Sequence, residues 1–493
     1  MNTQLVILVV YVLALLSISA WSTQISKKSS GNKTLGYLLA GRNMPVIIIV
    51  VMIAGLAIGG ASTVGVAESA YTKGFSAGWY NGAWGIGAII AGLIGVKHYR
   101  KMKVKTVPQI MGLMYGEKTR MLAVIAQVLV LLTLTSLQYV AGGAILNALL
   151  PNIFTELWHG MLASAAIFII ITVIGGYWAS GLTNLFNIVI IYVGVIIAVI
   201  QTLAKFGGLE SISKKLPPAD HWFSWAGSGA AGLGNGVGIV WIVGLIAVMA
   251  TQCNSNQAVS QVSFASKNSK SARLGFILGG IIILPIGFLC SYFGIAAAAE
   301  FPNLKPALAL PTIAAGLNPI IGGVFLASLW AADISTAVGL LMGCSTLVME
   351  DLGKKIFSKK LTEEKSLIFS RITVLLISVL AFLLALTVRN ILSVVSAGLA
   401  ITTSFTLIIL ASIYLPKTCK KAAGFPVILA SIVVWIFWTA IPSIEAVSPA
   451  FASLRIRQNL QQLVYLEWVV CLLIFVLCAI FGKEKAGTIP KED

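Results

Sequence analysis

The chain has 493 residues, of which 58% are hydrophobic and only 10% are charged, so its composition excludes a water-soluble globular protein. Its net charge is +18, but the positive residues are gathered in short segments between apolar runs, which argues against a basic surface that binds nucleic acid. Because the apolar runs are each long enough to cross a bilayer, the sequence predicts an all-α polytopic membrane protein.

Thirteen apolar segments qualify as membrane-spanning helices. In chain order they lie at roughly residues 4–22, 45–72, 76–96, 121–148, 155–178, 183–206, 232–252, 273–298, 318–349, 367–388, 391–415, 424–442 and 462–482. The longest polar connections between them are 207–227 and 253–273. These connections are too short for a separate soluble domain.

The basic residues predict the orientation of these helices. If the N-terminus is outside the cell, the cytoplasmic segments hold 26 of the 34 Lys and Arg, and the external segments hold 8. Cytoplasmic loops of membrane proteins carry an excess of Lys and Arg. We therefore expect a multi-pass protein of the cell membrane with its C-terminal tail in the cytoplasm.

The helix count suggests a repeat. Two five-helix halves of opposite membrane orientation are common in secondary transporters, and paired broken helices in such halves indicate the binding site. The second half would open near Gly232, in the glycine-rich stretch GLGNGVGIVW. The expected parts are a leading helix and cytoplasmic loop (1–44), a first repeat (45–206), a second repeat (232–415), two trailing helices (424–482) and a cytoplasmic tail (483–493).

Residues 55–66, GLAIGGASTVGV, place four glycines, a serine and a threonine near the middle of the second span. Glycine weakens a helix, and Ser and Thr offer hydrogen bonds that compete with the backbone ladder, so the helix can unwind here. Freed carbonyls need partners inside a membrane, and a hard cation such as sodium is one such partner. Close packing of helices through small residues is the alternative explanation.

A second segment, Ser328–Lys355, carries further oxygen ligands. Ala332, Ser335 and Thr336 stand at i, i+3 and i+4, so they share one helix face. One carbonyl and two hydroxyls there could complete a sodium site with the carbonyls of the broken helix. Alternatively, both hydroxyls bond back to carbonyls of their own helix.

These motifs together resemble the sodium:solute symporter family, and most of all its proline branch. The resemblance runs from YLLAGRNMP (Tyr37–Pro45) through SKNSKSAR (Ser266–Arg273) to CSTLVMEDLGKK (Cys344–Lys355). AGLAIGGASTVGVAESAYTKG is similar to the first core helix of the family, GGYWASGLTNLFN to the start of the fifth, and AADISTAVGLLMGCSTLVMEDL to the eighth. The resemblance implies a LeuT-like fold of two inverted five-helix repeats and sodium-coupled uptake by alternating access.

The resemblance also implies the site residues. The main sodium site of the family then falls on the carbonyls of Gly55, Ile58 and Ala332 and on the hydroxyls of Ser335 and Thr336. The solute would lie beside the break, near the residues Ser62, Thr63, Gly65 and Gln252.

The sequence departs from the family at the fifth core helix. An acidic residue that contributes to a second sodium site in some members is replaced here by Asn184. The positions one turn below the main site, Val338 and Gly339, carry no side-chain oxygen. We therefore expect one sodium ion per cycle.

Asp333 interrupts an apolar run at the centre of a membrane helix, where an ionised carboxylate costs about 2.5–3.5 kcal/mol. One hypothesis is that Asp333 supplies the negative charge missing at Asn184 and takes part in ion coupling, either by strengthening sodium binding or by carrying a proton. A proton-coupled transporter of the same fold is accordingly the alternative function. A carboxylate that only hydrogen-bonds to a neighbouring helix is the structural alternative.

The remaining expectations concern other classes of protein, cofactors, partners and the solute. The sequence has no HExxH, GxSxG or paired intramembrane aspartates, so we expect a transporter and not an enzyme. Sodium is the expected coupling ion, and the lipid bilayer is the expected surrounding. We expect no organic cofactor, no nucleic acid and no obligate protein partner. The expected solute is small and organic, preferably an amino acid or a small carboxylate, because broken helix ends present unpaired N–H groups.

Overall fold

The computed structural model describes residues 3–29, 32–227, 238–356, 362–387, 395, 398–457 and 462–487, and nearly all of them are helical. The helices of the first half are α1 (Thr3–Ser29), α2 (Lys33–Leu39), α3 (Val46–Ala57), α4 (Val64–Lys73), α5 (Trp79–Ile94), α6 (Val96–Tyr99), α7 (Val107–Tyr115), α8 (Glu117–Leu149), α9 (Leu157–Phe206) and α10 (Gly208–Lys215).

The second half of the chain is also helical. Its helices are α11 (Ile239–Ser255), α12 (Gln257–Ala265), α13 (Ser269–Glu300), α14 (Ala309–Ala315), α15 (Pro319–Leu347), α16 (Lys354–Ile356), α17 (Glu363–Ala385), α18 (Thr402–Tyr414), α19 (Gly424–Val447), α20 (Pro449–Ala452) and α21 (Leu463–Phe481). The glycine-rich stretch that we predicted to open the second repeat lies mostly outside the described residues.

Eight helices of the described residues are long and apolar enough to span a membrane, or up to ten if each of two bent helix pairs is one span. The protein is therefore an integral membrane protein of helices. The larger predicted count arises partly from α9, whose 50 residues contain two predicted spans and a bend at Gly176, near the end of the first of them. Gly176 has φ 60° and ψ −149°, a conformation that side chains disfavour, so the helix bends there. The count of thirteen and the orientation of the termini stay predictions.

One segment differs from its predicted character. We predicted residues 253–273 to be a polar connection, but Gln257–Ala265 forms the buried helix α12. Its polar side chains have internal partners: the Gln261 amide donates to the Leu38 carbonyl and to the Thr346 hydroxyl, both at 2.8 Å. Polarity alone suggested exposure to water, whereas these hydrogen bonds satisfy the polar groups inside the protein.

Helix α15 lies at the centre of the molecule. In its most apolar window 94% of the residues are buried, compared with 28% in α1, α19 and α21. It packs against α3, α8 and α9, so its side chains face other helices on every side. A polar group in the middle of α15 therefore meets protein and not lipid.

The end of α15 is fixed by ion pairs. Beyond the helix, in a π-helical turn, Asp351 pairs with Arg120 at 2.7 Å, and Glu350 pairs with Lys105 at 2.9 Å and with Lys354 at 2.7 Å. Partial burial lowers the pKa of Lys105, although the carboxylate of Glu350 opposes this shift. These pairs connect the last turn of α15 with α8 and with the loop before α7.

Candidate functional site

The predicted broken helix is interrupted between α3 and α4. Ile58 and Gly59 leave helical geometry, with φ/ψ of −93°/89° and −135°/−159°, and one 3₁₀ turn follows at Gly60–Ser62. The helical segments on either side of the break meet at 70°. A helix end leaves carbonyl groups without partners in the same helix, so the last carbonyls of α3 are available to other elements.

The five oxygens that we predicted as sodium ligands lie together where this break meets α15. The hydroxyl oxygen of Thr336 lies 2.6 Å from the Gly55 carbonyl oxygen and 3.2 Å from those of Ile58 and Ala332. The hydroxyl oxygen of Ser335 lies 3.2 Å from the Gly55 carbonyl oxygen and 2.7 Å from that of Ala332. The three carbonyls and two hydroxyls thus form one compact group of five oxygens, the ion cluster.

This cluster has the chemistry of a site for a small, hard cation. Neutral carbonyl and hydroxyl oxygens are ligands that such ions accept. Each hydroxyl donates its proton to a carbonyl, but it can rotate and turn a lone pair towards a cation instead. Both hydroxyl side chains are buried, so a bound cation would exchange its water shell for protein oxygens. The five groups carry no formal charge to balance the ion.

Asp333 lies on the other side of the same break. Its side chain is fully buried, and a Cβ atom added at Gly60 or at Gly142 of α8 would approach its oxygens to 3.1 Å and 2.5 Å. Neither carboxylate oxygen has a side-chain hydrogen-bond partner within the described residues, and the backbone amides of Gly60 and Gly142 face it. Glycine on both sides therefore leaves just enough room for a buried carboxylate between the break and α8.

Asn184 fits against the first of the predicted sodium ligands. A Cβ atom at Gly55 would lie 2.5 Å from the Asn184 amide nitrogen and 3.0 Å from its amide oxygen. The amide oxygen of Asn184 is buried and makes no hydrogen bond to any described residue. The absence of a side chain at Gly55 thus makes room for the Asn184 amide beside the proposed ion cluster.

Sequence reasoning missed Gln138 of α8, which contacts the break directly. Its amide oxygen accepts a hydrogen bond from the Gly60 N–H at 3.1 Å, and its amide nitrogen donates to the Leu134 carbonyl at 3.2 Å. One of the N–H groups that the break releases is therefore already satisfied. A glutamine in a long apolar helix gave no local signal of this role.

A small cavity lies beside the break, between it and α11. It measures about 30 Å³ and is lined by Leu56, Ala57, Gly59, Ala61, Tyr80, Trp84, Leu134, Gln138, Gln252, Asn256, Val259, Thr336, Leu340, Val395 and Leu399. Thr336 thus belongs both to the ion cluster and to the cavity wall. The volume suits one or two water molecules, so an organic solute requires the surrounding helices to move apart.

Only one of the four predicted solute residues lines this cavity. Gln252 does, whereas Ser62, Thr63 and Gly65 do not. The Ser62 hydroxyl bonds the Ala57 carbonyl, and the Thr63 hydroxyl bonds the Gly59 carbonyl at 3.1 Å. Both hydroxyls therefore satisfy carbonyls of the break itself, while Gly65 is buried within α4.

Asn256 is a second cavity residue that sequence reasoning missed. It joins α11 to α12, which meet at 48°, and its amide oxygen caps α12 by accepting from the Ala258 N–H at 2.9 Å. Its amide nitrogen is buried and has no partner among the described residues. A helix-capping asparagine after an apolar run was the available signal, and it leaves an unused donor at the cavity.

Comparisons with known proteins show which proteins this chain is similar to. The sequence model described as "Sodium:solute symporter family" matches residues 37–430. The high-affinity proline transporter PutP of Bacillus subtilis is 23% identical over 427 residues, which cover 83% of this chain and 88% of the relative. The sodium/pantothenate symporter of Haemophilus influenzae is 26% identical over 373 residues, which cover 72% of this chain and 74% of the relative.

A solved structure shows the same fold. It is a substrate-bound, outward-open state of a Na⁺-coupled sialic acid symporter, with a TM-score of 0.78 and 16% sequence identity over 98% of both chains.

Proposed function

Because the chain belongs to the sodium:solute symporter family, we propose that it imports a small organic solute together with sodium by alternating access across the cell membrane. The family and these relatives are transporters, not enzymes. Relatives named for proline and pantothenate support an amino acid or a small carboxylate as the solute.

The five-oxygen cluster is the observation that carries the proposal. It joins the carbonyls of Gly55, Ile58 and Ala332 to the hydroxyls of Ser335 and Thr336, and it lies against the cavity proposed for the solute. An ion bound there would hold the break and α15 together beside the solute. Occupancy of one site would thereby favour occupancy of the other, which is the thermodynamic requirement for coupled binding.

Equilibrium binding of radioactive sodium to the purified protein at fixed pH tests this proposal without knowledge of the solute. We expect saturable binding that Ser335→Ala weakens at least tenfold. Ser345→Ala is the matched control, because this serine is also buried in α15 but its hydroxyl donates to the Ser370 carbonyl. No saturable binding by the native protein, or equal loss in both variants, would contradict the proposed site.

Proton coupling through Asp333 is the alternative function, and a buried carboxylate without an ion-pair partner among the described residues is the observation that favours it. Uptake that follows the pH gradient and does not respond to sodium at fixed pH would favour this alternative. If Asp333→Asn changes neither the sodium affinity nor the pH dependence of uptake, Asp333 has no part in ion coupling.

A further inference from the structure

Among the described residues, the cavity wall and the ion cluster contain no charged side chain. The residues that line the cavity are apolar, aromatic, amide or hydroxyl residues, and the five cluster oxygens are neutral. Among the described residues that line the cavity or approach Gly59 and Gly60 most closely, Asp333 is the one whose side chain can be charged near neutral pH. The charge of the whole site is therefore set by Asp333 and by whatever binds there.

Asp333 is placed to balance a bound cation. Asp333 follows Ala332 in the chain and stands one helical turn before Thr336. Its carboxylate faces the break at Gly60, and the Thr336 hydroxyl faces it at the preceding residue, Gly59. The carboxylate and the Thr336 hydroxyl thus lie on either side of a single peptide unit. No described cationic side chain pairs with the carboxylate, which faces the backbone amides of Gly60 and Gly142, so its negative charge is available to the cation.

The sum of these charges restricts the solute. A sodium ion and the Asp333 carboxylate are neutral together, so an anionic or cationic solute would place an unpaired charge in a buried site. Such a charge is costly unless a partner compensates it. A solute without net charge, zwitterions included, avoids this cost.

The polar groups of the cavity narrow the class further. The Gln138 amide is already bonded on both sides, whereas the Asn256 amide nitrogen has no partner. The rest of the wall is largely apolar, with Tyr80 and Trp84 as its aromatic members. The cavity thus offers the free N–H groups of Asn256, and the amide of Gln252, to polar groups of a solute and a largely apolar surface to its body.

We propose that Asp333 fixes the charge of the transported solute: the carboxylate serves as the counter-charge of the bound sodium ion, so the protein carries small net-neutral solutes, such as zwitterionic amino acids, and rejects small carboxylate anions and amines. This inference rests on the proposed sodium symport and narrows it, because it removes simple carboxylates from the expected solutes.

The test measures the sodium Kd of the purified protein at fixed pH in the presence of three sets of small probes. The sets are net-neutral (the neutral amino acids, glycine betaine and small sugars), anionic (acetate, lactate, cyclopentanecarboxylate and glutamate) and cationic (pyrrolidine, choline and lysine). A co-transported solute raises sodium affinity by linkage. We expect at least one net-neutral probe, and no charged probe, to lower the sodium Kd severalfold.

A lower sodium Kd with an anionic or cationic probe, or no response to any net-neutral probe, overturns the inference. Both results leave sodium binding itself intact, so they are distinguishable from failure of the proposed symport, in which the native protein binds no sodium.

Asp333→Asn is a second, independent test, because the asparagine amide matches the carboxylate in size and fits between Gly60 and Gly142. Removal of a counter-charge roughly 10 Å from sodium is expected to raise the sodium Kd about tenfold. It should also allow a monocarboxylate probe to lower that Kd, since the anion then supplies the missing charge. Asp351→Asn is the control, because Asp351 lies five turns away and pairs with Arg120. Unchanged sodium affinity and unchanged probe selection in Asp333→Asn would contradict the role of Asp333.

Discussion

Replacement of Thr336 by valine removes one proposed sodium ligand at nearly constant volume. The Thr336 hydroxyl lies 2.6 Å from the Gly55 carbonyl oxygen, the shortest of the five contacts in the cluster. Valine puts a methyl group in the place of that oxygen, and it leaves the Ser335 hydroxyl, at 3.2 Å, as the remaining described partner of the carbonyl. The variant therefore affects both the ion-bound and the ion-free protein.

The expected magnitude is the difference between these two effects. A contact between a polar group and a charge contributes about 1.5–3 kcal/mol, whereas an ordinary buried hydrogen bond contributes about 0.5–1.5 kcal/mol. Valine loses the first in the sodium-bound protein and the second in the ion-free protein. The net loss of about 1–2 kcal/mol in sodium binding corresponds to an increase in Kd of about 5- to 30-fold. The ion-free protein should also lose about 1 kcal/mol of unfolding free energy.

Radioactive sodium binding and thermal unfolding of the same purified variants measure both quantities. Thr336→Ser retains the oxygen and should keep a sodium Kd near that of the native protein. Thr202→Val is the matched control, since this buried threonine bonds only the Ala198 carbonyl of its own helix. A native sodium Kd in Thr336→Val, or equal losses of sodium affinity in Thr336→Val and Thr202→Val, would refute the ligand assignment.

Three further predictions follow from the packing. Gly55→Ala should weaken sodium binding, because the new Cβ atom would lie 2.5 Å from the Asn184 amide, and Asn184→Ala in the same chain should restore it. Gly176→Ala should lower the unfolding free energy by about 1–3 kcal/mol, measured by denaturation in detergent, because φ is 60° at this bend; an unchanged stability would show that the bend is relaxed easily. Arg120→Gln should destabilise the protein by leaving Asp351 buried without its ion-pair partner, and Asp351→Asn in the same chain should recover part of the loss; additive losses would mean that the pair is not coupled.

The features that the sequence predicted depend on local spacing. The break at residues 58–63 follows from glycine and hydroxyl side chains within a few positions, and these act on the backbone that carries them. Ser335 and Thr336 share a face with Ala332 because of helical periodicity, which any long helix obeys. The resemblance to the family then paired this face with the break, and the structure brings the same five oxygens together, although their role as sodium ligands stays a proposal.

The features that the sequence did not reveal depend on how helices are rotated and how closely they approach. The hydroxyls of Ser62 and Thr63 bond the break itself and not the cavity, whereas Gln138 and Asn256, from two other helices, reach it. Gln138 faces Gly60, which lies 78 residues earlier in the chain. No local sequence pattern predicts which side of a helix will face such a distant break.

Composition and periodicity therefore determined the membrane class and predicted the broken helix and the shared face of Ala332, Ser335 and Thr336 on α15. Only the tertiary structure decided which polar groups are already satisfied, which remain free at the cavity, and that a buried carboxylate adjoins the ion cluster. The physical reason is that hydrogen-bond satisfaction and charge balance are properties of neighbours in space, and most of those neighbours come from distant parts of the chain.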